Sequence, residues 1–158
     1  MTDIADRPNR VPWPPIVYLV GIAASIWLGI LYPLPWFGVP FADILFALSF
    51  VVFAAVAALY VTALRAFARA KTTVSPTKRA DHMVTNGPFA LSRNPLYLAN
   101  TLLLIGGGLV AGNPWFFVFA LACALVTHKL AIQREERHLE ARFGKRYRDY
   151  AKKVRRWI

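Results

Sequence analysis

The stretch NPLYLANTLLLIGGGLVAGNPWFFVFALACALVTH, residues 94–128, contains no Asp, Glu, Lys or Arg. It is too long for a single membrane span, because about 20 apolar residues cross a bilayer as a helix. The segment AGNPW, residues 111–115, places a Gly, an Asn and a Pro near the middle of the stretch, where a turn is favoured. We therefore predict a helical hairpin with spans at residues 96–111 and 114–132.

The first half of the chain has the same pattern. Between residues 11 and 64 the only charged side chain is Asp43. Two apolar segments, residues 16–34 and 43–64, are joined by YPLPWFGVP, whose three prolines cannot continue a helix. The predicted fold class is therefore an all-α polytopic membrane protein with four transmembrane helices in two hairpins.

The positive charges predict the orientation of these helices. All 19 Lys and Arg lie in the N-terminal tail, in residues 65–93 or in residues 129–156, and neither hairpin turn contains one. An even number of spans places these segments on one side, which the positive-inside rule makes the cytoplasm. We expect an integral protein of the inner or plasma membrane of a prokaryote, with both termini cytoplasmic.

The net charge of +11 has an explanation in this topology and in attraction to anionic lipid head groups. Nucleic-acid binding is therefore not expected. No cluster of His, Cys and carboxylate residues has the spacing of metal ligands, so no metal site is predicted either.

The C-terminal region carries an amphipathic pattern. Apolar side chains recur at residues 139, 143, 147, 150, 154 and 157, which places them on one face of a helix, with basic residues on the other faces. This pattern is typical of a helix that lies in the membrane interface. Gly144 is the point at which such a helix could divide into two.

Two adjacent carboxylates, Glu135 and Glu136, follow the fourth predicted span. Residues 129–156 contain eleven Lys and Arg, yet none stands three or four residues from either carboxylate, where a helix would pair them. Their partner is then another part of the chain or a cationic ligand, because unpaired charges at a membrane edge are costly.

The pair Asn94-Pro95 precedes the third predicted span. Asn is favoured at the N-cap of a helix and Pro at its first position, so the two residues would start a helix in any protein. That explanation does not account for Arg93, for Tyr97 or for the segment NGPF at residues 86–89.

Taken in order, NGPFALSRNPLYLA at residues 86–99, the apolar hairpin, and REERHLEARFGKRYRDYAKKVRRWI at residues 134–158 resemble a known family. It is the family of integral membrane enzymes that includes isoprenylcysteine carboxyl methyltransferases and phospholipid methyltransferases, and the similarity covers residues 84–158. The matching residues are Gly87, Pro88, Phe89, Arg93, Pro95, Tyr97, Glu135, Glu136, Tyr147, Tyr150, Arg156 and Trp157. The chain departs from the family pattern at Asn94, where His is usual, and at Ala99, where Gly is frequent.

The resemblance implies that S-adenosylmethionine binds at the cytoplasmic membrane face. It implies a catalytic role for Arg93 and Asn94. Asn cannot take up a proton at neutral pH, so we expect Asn94 to position a ligand rather than act as a base. The cofactor-binding residues implied by the resemblance are Gly87, Phe89, Arg93, Asn94, Tyr97, Glu135 and Glu136.

The chemistry of the cofactor fits these residues. Glu135 and Glu136 suit its cationic methionine end, because charge-assisted hydrogen bonds are strong. Arg93 suits its carboxylate, Asn94 a polar edge, and Tyr97 the ribose or the face of the adenine.

The predicted function is that of a membrane methyltransferase that uses S-adenosylmethionine and acts on a lipophilic or small acceptor, whose reacting group is a carboxylate, an amine or a thiol. One alternative is an NADPH-dependent intramembrane reductase, because sterol reductases have a similar C-terminal core. Another is a membrane scaffold without enzymatic activity, whose basic C-terminal helix binds lipid. For the predicted methyltransferase, residues 1–158 form one membrane domain. It has an N-terminal tail (1–15), a first hairpin (16–64), a cytoplasmic loop (65–93) and a methyltransferase-like core (84–158).

The topology can be tested with reporter fusions. We expect a reporter inserted at Lys78 to report the cytoplasm and one at Pro35 to report the opposite side, because the hairpin turns lack positive charge. An external signal at Lys78 together with an internal signal at Pro35 would reverse the predicted orientation.

Overall fold

All regular secondary structure is helical in the residues that the computed structural model describes, which are 12–72 and 82–158. Residues 1–11 of the predicted tail and residues 73–81 of the predicted cytoplasmic loop lie outside the described residues. The helices are α1 (Trp13–Leu31), α2 (Phe41–Arg69), α3 (Pro95–Ala111), α4 (Trp115–Thr127), α5 (Gln133–Phe143) and α6 (Lys145–Lys153). A 3₁₀ turn, Gly87–Ala90, precedes α3, and a π-helical turn, His128–Ile132, joins α4 to α5.

Three helical segments in the described residues are long and apolar enough to cross a membrane. They are Trp13–Leu31, Phe41–Arg69 and the continuous helix Trp115–Phe143. The remaining apolar helix, α3, has only 17 residues. The all-α prediction is confirmed, whereas the predicted fourth span stays a prediction.

The connections within the two predicted hairpins meet at one end of the bundle. There the indole Nε1 of Trp115 donates a hydrogen bond to the carbonyl oxygen of Tyr32 at 2.8 Å. The side-chain amide of Asn113, in the turn between α3 and α4, donates to the carbonyl oxygen of Ser25 on α1 at 3.0 Å. These bonds satisfy polar groups at the apolar ends of the helices, where unpaired groups are costly.

The other ends of the helices meet around the entrance to α3 and the two adjacent carboxylates. Pro14 at the start of α1, Phe67 near the end of α2, Leu96 at the start of α3 and Glu135 on α5 line one cavity. The four apolar helices therefore run up, down, up and down. This arrangement gathers all described Lys and Arg side chains toward one end of the bundle.

Glycines in α3 allow its neighbours to approach closely. A Cβ atom at Gly106 would lie 2.9 Å from the ring of Phe53 on α2. A Cβ at Gly108 would lie 2.9 Å from the Cβ of Phe116 on α4. Helices in membranes pack through such small residues, and α3 consequently sits between α2 and α4.

The C-terminal region differs from the predicted continuous stripe. Gly144 has a φ of +50° and separates α5 from α6, so the helix divides at the residue where the sequence indicated that it could. The expectation that the helix reaches Trp157 is wrong, because α6 ends at Lys153. The backbone of the next residues instead makes hydrogen bonds to the entrance of α3. A position of α5 and α6 in the membrane interface stays a prediction.

Candidate active site

The entrance to α3 is anchored by the 3₁₀ turn. Phe89 is buried there, and its ring meets that of Phe67 on α2 edge to face, with 5.1 Å between centroids. The hydroxyl of Tyr150 on α6 donates to the carbonyl oxygen of Phe89 at 2.6 Å. The turn is thereby held between α2 and α6, which fixes the position of Arg93, the residue that follows shortly after the turn.

Asn94 occupies the N-cap position of α3 without capping it. Its side chain makes no hydrogen bond to the first turn of the helix. The side-chain amide donates instead to the carbonyl oxygen of Arg156 at 2.9 Å, while its own backbone N–H donates to Ser92 Oγ at 3.1 Å. The predicted helix start is confirmed, but the Asn94 side chain serves a tertiary contact.

Glu136 is held by two guanidinium groups from distant parts of the chain. Arg156 donates to both of its oxygens, with Nη2 to Oε2 at 2.6 Å and Nε to Oε1 at 2.9 Å. Arg93 Nη1 lies 3.0 Å from Oε1. The partner of Glu136 therefore comes from other elements, as the lack of local cations indicated.

Tyrosine hydroxyls extend this network. Arg93 Nη1 donates to the hydroxyl oxygen of Tyr147 at 3.1 Å. Burial and the nearby charge of Glu136 raise the pKa of Tyr147 to about 12, so the phenol is neutral at physiological pH. Burial also raises the pKa of Tyr150, and the hydrogen bond with Glu136 raises the pKa of Arg156.

One donor in the network has no acceptor. The Nε of Arg93 is buried and has no hydrogen-bond partner among the described residues. A buried guanidinium N–H without an acceptor is costly, and carboxylates are the acceptors that guanidinium groups match best. Among the described residues, the Nε of Arg93 is therefore a buried donor that no protein oxygen satisfies.

A polar cavity of about 580 Å³ opens beside the Glu136 network. Its walls carry five cationic side chains and two carboxylates, together with Tyr147. The charged residues are Arg93, Arg137, Arg148, Lys152, Arg156, Glu136 and Glu140. Its volume lies within the roughly 300–1,000 Å³ of small-molecule pockets.

A smaller cavity of about 280 Å³ lies between α1, α2 and α3 and is lined largely by apolar side chains. Glu135 lines it and accepts a hydrogen bond from the hydroxyl of Tyr97 at 2.5 Å. The hydroxyl of Tyr60 on α2 donates to the side-chain oxygen of Asn100 on α3 in the same wall. Adjacent carboxylates on one helix therefore face two different cavities.

The structure brings together most of the predicted site residues. Arg93 lines both cavities, and Glu136 lines the polar one. Phe89, Asn94, Tyr97 and Glu135 line the apolar cavity. Gly87 lines neither, and with a φ of +60° it serves the turn before α3.

Two further residues of the site were not predicted. Tyr60 and Asn100 pair inside the apolar helices, and their polarity within otherwise apolar segments was the available signal, because intramembrane polar residues mark functional positions. The π-helical turn at His128–Ile132 was also not predicted. Such turns are frequent at functional sites, and this one ends just before Glu135.

Comparison with known families gives a match over much of the chain. A family described as phospholipid methyltransferase matches residues 44–146, which is nearly two thirds of the chain. The matched region begins in α2 and ends just before Tyr147, so it includes both carboxylates and the α3 entrance.

Three other proteins are similar to this chain over shorter regions. An uncharacterized protein of Haemophilus influenzae is 40% identical over 63 residues, which are 40% of this chain and 100% of that protein. The nickel-cobalt-cadmium resistance protein NccN of Alcaligenes xylosoxydans xylosoxydans is 32% identical over 78 residues, 49% of this chain and 36% of its own length. The protein-S-isoprenylcysteine O-methyltransferase of Schizosaccharomyces pombe is 36% identical over 85 residues, 51% of this chain and 35% of its own length. The chain thus spans about a third of the two named relatives.

The Glu136 network can be tested through stability. We expect Glu136→Gln to lower the free energy of unfolding by about 1–3 kcal/mol, because two guanidiniums lose their charged acceptor. The matched control is Glu140→Gln, whose pair with Arg148 spans 3.6 Å between side chains that are 50% and 56% exposed, against 15% for Glu136. Exposed pairs contribute little. Thermal melts in detergent would measure both variants, and equal melting temperatures for the two would contradict a structural role for Glu136.

Proposed function

We infer that this chain, which belongs to the phospholipid methyltransferase family, transfers a methyl group from S-adenosylmethionine to a lipophilic or small acceptor at the cytoplasmic face of a membrane. Family membership and the similarity to an isoprenylcysteine O-methyltransferase indicate a methyltransferase. We propose the cofactor and the acceptor from the geometry of the site, and the membrane face from the distribution of positive charge.

The observation that carries the proposal is the position of Arg93 between a cavity lined mainly by charged side chains and a cavity whose lining is largely uncharged. A methyltransferase with a lipophilic acceptor must hold a charged cofactor and an apolar molecule side by side. Arg93 lines both the polar and the apolar cavity, and its buried Nε has no acceptor in the described part of the chain. The Arg93 side chain is 14% exposed, and a carboxylate bound beside the Glu136 network would be a matched acceptor for the guanidinium as a whole.

The residues around Arg93 fit the charged groups of S-adenosylmethionine. When bound, the cofactor supplies a methyl group activated on a cationic sulfur. Arg93 and Arg156 suit its carboxylate, while Glu135, which shares its wall with Arg93, suits a cationic group. Glu136 remains a predicted ligand of the cofactor. Its oxygens are engaged by Arg93 and Arg156, so its contribution to cofactor binding would include holding those two guanidinium groups in place.

The apolar cavity is the proposed place of the acceptor. At about 280 Å³ it is smaller than most pockets that enclose a whole small-molecule ligand. It would accommodate a small acceptor, or the reacting end of a lipid whose chain extends into the bilayer. Phe67, Phe89 and Leu96 line this side with apolar groups, which would limit access of water to the reacting groups.

Proton transfer depends on the acceptor. A carboxylate acceptor is already a nucleophile, whereas an amine or thiol must lose a proton. Asn94 cannot accept one, and its amide is engaged with Arg156. Glu135, the carboxylate in the wall of the apolar cavity, is assigned to a cationic group of the cofactor, so a carboxylate acceptor, which needs no base, fits the site best.

The packing of the helices supports a proposal for the placement in the membrane. We propose that α3 is a fourth span, because its 17 residues are at the lower limit for crossing a bilayer and it packs between α2 and α4. The end that carries the site and the basic residues would face the cytoplasm. There α5 and α6 would lie in the interface, with their Lys and Arg near anionic lipid head groups.

One observation favours a second candidate function. The five cationic side chains of the polar cavity also suit the phosphates of NADPH, which an intramembrane reductase would use. Family membership favours the methyltransferase. Binding of one cofactor or the other separates the two functions, and binding of neither would favour a lipid-binding scaffold.

The site assignment can be tested with charge-removing variants. We expect Glu135→Gln and Arg93→Gln each to weaken S-adenosylmethionine binding roughly ten- to hundred-fold, because each loses a charge-assisted hydrogen bond of about 1.5–3 kcal/mol. Isothermal titration in detergent, with a thermal melt of each variant, would measure the affinity of folded protein.

The matched controls are Asp149→Asn and Lys145→Gln, which remove the same charges at exposed positions outside both cavities. Their affinities should equal that of the unsubstituted chain. Unchanged cofactor affinity in well-folded Glu135→Gln and Arg93→Gln variants would rule out the proposed site.

A further inference from the structure

The last residues of the chain leave α6 and return to the entrance of α3. We name residues 154–158 the C-terminal strap. The backbone N–H of Arg93 donates to the carbonyl oxygen of Arg155 at 3.0 Å, and the side-chain amide of Asn94 donates to that of Arg156 at 2.9 Å. Ser92 Oγ adds a longer contact of 3.4 Å to the same Arg156 oxygen.

The strap brings one functional side chain into the site. The guanidinium of Arg156 makes both of its short contacts with Glu136, and its Nη1 lies 3.4 Å from His128 Nε2. The Arg156 side chain lines the polar cavity. Arg156 therefore accepts a hydrogen bond from Asn94 through its backbone carbonyl and binds Glu136 through its side chain.

The side-chain amide of Asn94 makes the shorter of the two side-chain hydrogen bonds that the α3 entrance donates to the backbone of the strap. Asn94 is buried, caps no helix and is hydrogen-bonded through Nδ2 to a peptide carbonyl. A carbonyl oxygen accepts hydrogen bonds only, so the position requires a donor. Asp at this position would direct a carboxylate oxygen toward that carbonyl and would lose the bond.

We propose that Asn94 is a positioning residue that acts through Arg156. By fixing the carbonyl of Arg156, it places the guanidinium on Glu136 and in the wall of the polar cavity, where Arg93 and Arg156 together face the bound ligand. The inference rests on the proposed function for the identity of that ligand. It assigns to Asn94 no contact with the reacting atoms.

A double-mutant cycle tests the inference. We expect Asn94→Ala and Arg156→Gln each to weaken binding of S-adenosylmethionine about tenfold, which is the loss of one hydrogen bond of roughly ordinary strength. Because Asn94 acts through the Arg156 side chain, the double variant should bind no more than about twofold more weakly than Arg156→Gln alone. Asn94→His, which retains a ring N–H donor, should recover affinity, whereas Asn94→Asp should not.

A second measurement does not depend on the cofactor. Hydrogen exchange of the Arg93 backbone amide, measured by mass spectrometry in detergent, reports the bond to the strap. Exchange should accelerate in Asn94→Ala and Asn94→Asp and remain slow in Arg156→Gln, whose backbone contacts are unchanged. Thermal melts identify variants that fail to fold.

The outcomes separate the inference from the proposed function. Additive losses of affinity in the double variant would show that Asn94 acts independently of Arg156 and would overturn the inference. If the unsubstituted chain binds no S-adenosylmethionine, the proposed function fails, and the exchange of the Arg93 amide still decides the role of Asn94. Equal exchange in Asn94→Ala and the unsubstituted chain would overturn that role.

Discussion

The carboxylate of Glu136 lies where a long apolar helix ends, and its charge has to be neutralised there. The site is built around the guanidinium groups that neutralise it. Unpaired charge at a membrane edge is costly, and α5 offers no cation at the spacings that would pair Glu136 locally. The charge is met by Arg93, which precedes α3, and by Arg156 on the C-terminal strap. One carboxylate thus joins three separate parts of the chain.

The two cavities follow from this junction. Glu135 and Glu136 are neighbours on one helix, so their side chains leave it about 100° apart. Because Glu136 is directed toward the guanidiniums, Glu135 is directed toward Tyr97 and the apolar cavity. Arg93 forms the shared wall. A charged and a largely uncharged compartment that share a wall would suit the methyl transfer proposed above, because they could align a charged cofactor with a lipophilic acceptor.

Much of the fold could be predicted, because it depends on local composition. Runs without charge predicted the apolar helices, and Asn94-Pro95 correctly marked the start of α3.

The lack of local partners for Glu136 correctly indicated partners elsewhere. Which arginines would supply them could not be predicted, since residues 129–156 alone contain eleven cations and periodicity does not rank them. The apolar stripe was extended too far, to Trp157, because the strap's hydrogen bonds to the α3 entrance are tertiary. The pair Tyr60 and Asn100 joins two helices whose mutual rotation is set by packing at Gly106.

The most direct test of the account is a titration of the purified, unsubstituted chain in detergent with S-adenosylmethionine and, separately, with NADPH. The account predicts saturable binding of S-adenosylmethionine at one site per chain, with no saturable binding of NADPH. Saturable binding of NADPH without binding of S-adenosylmethionine would contradict it, and would assign the cationic cavity to a reductase.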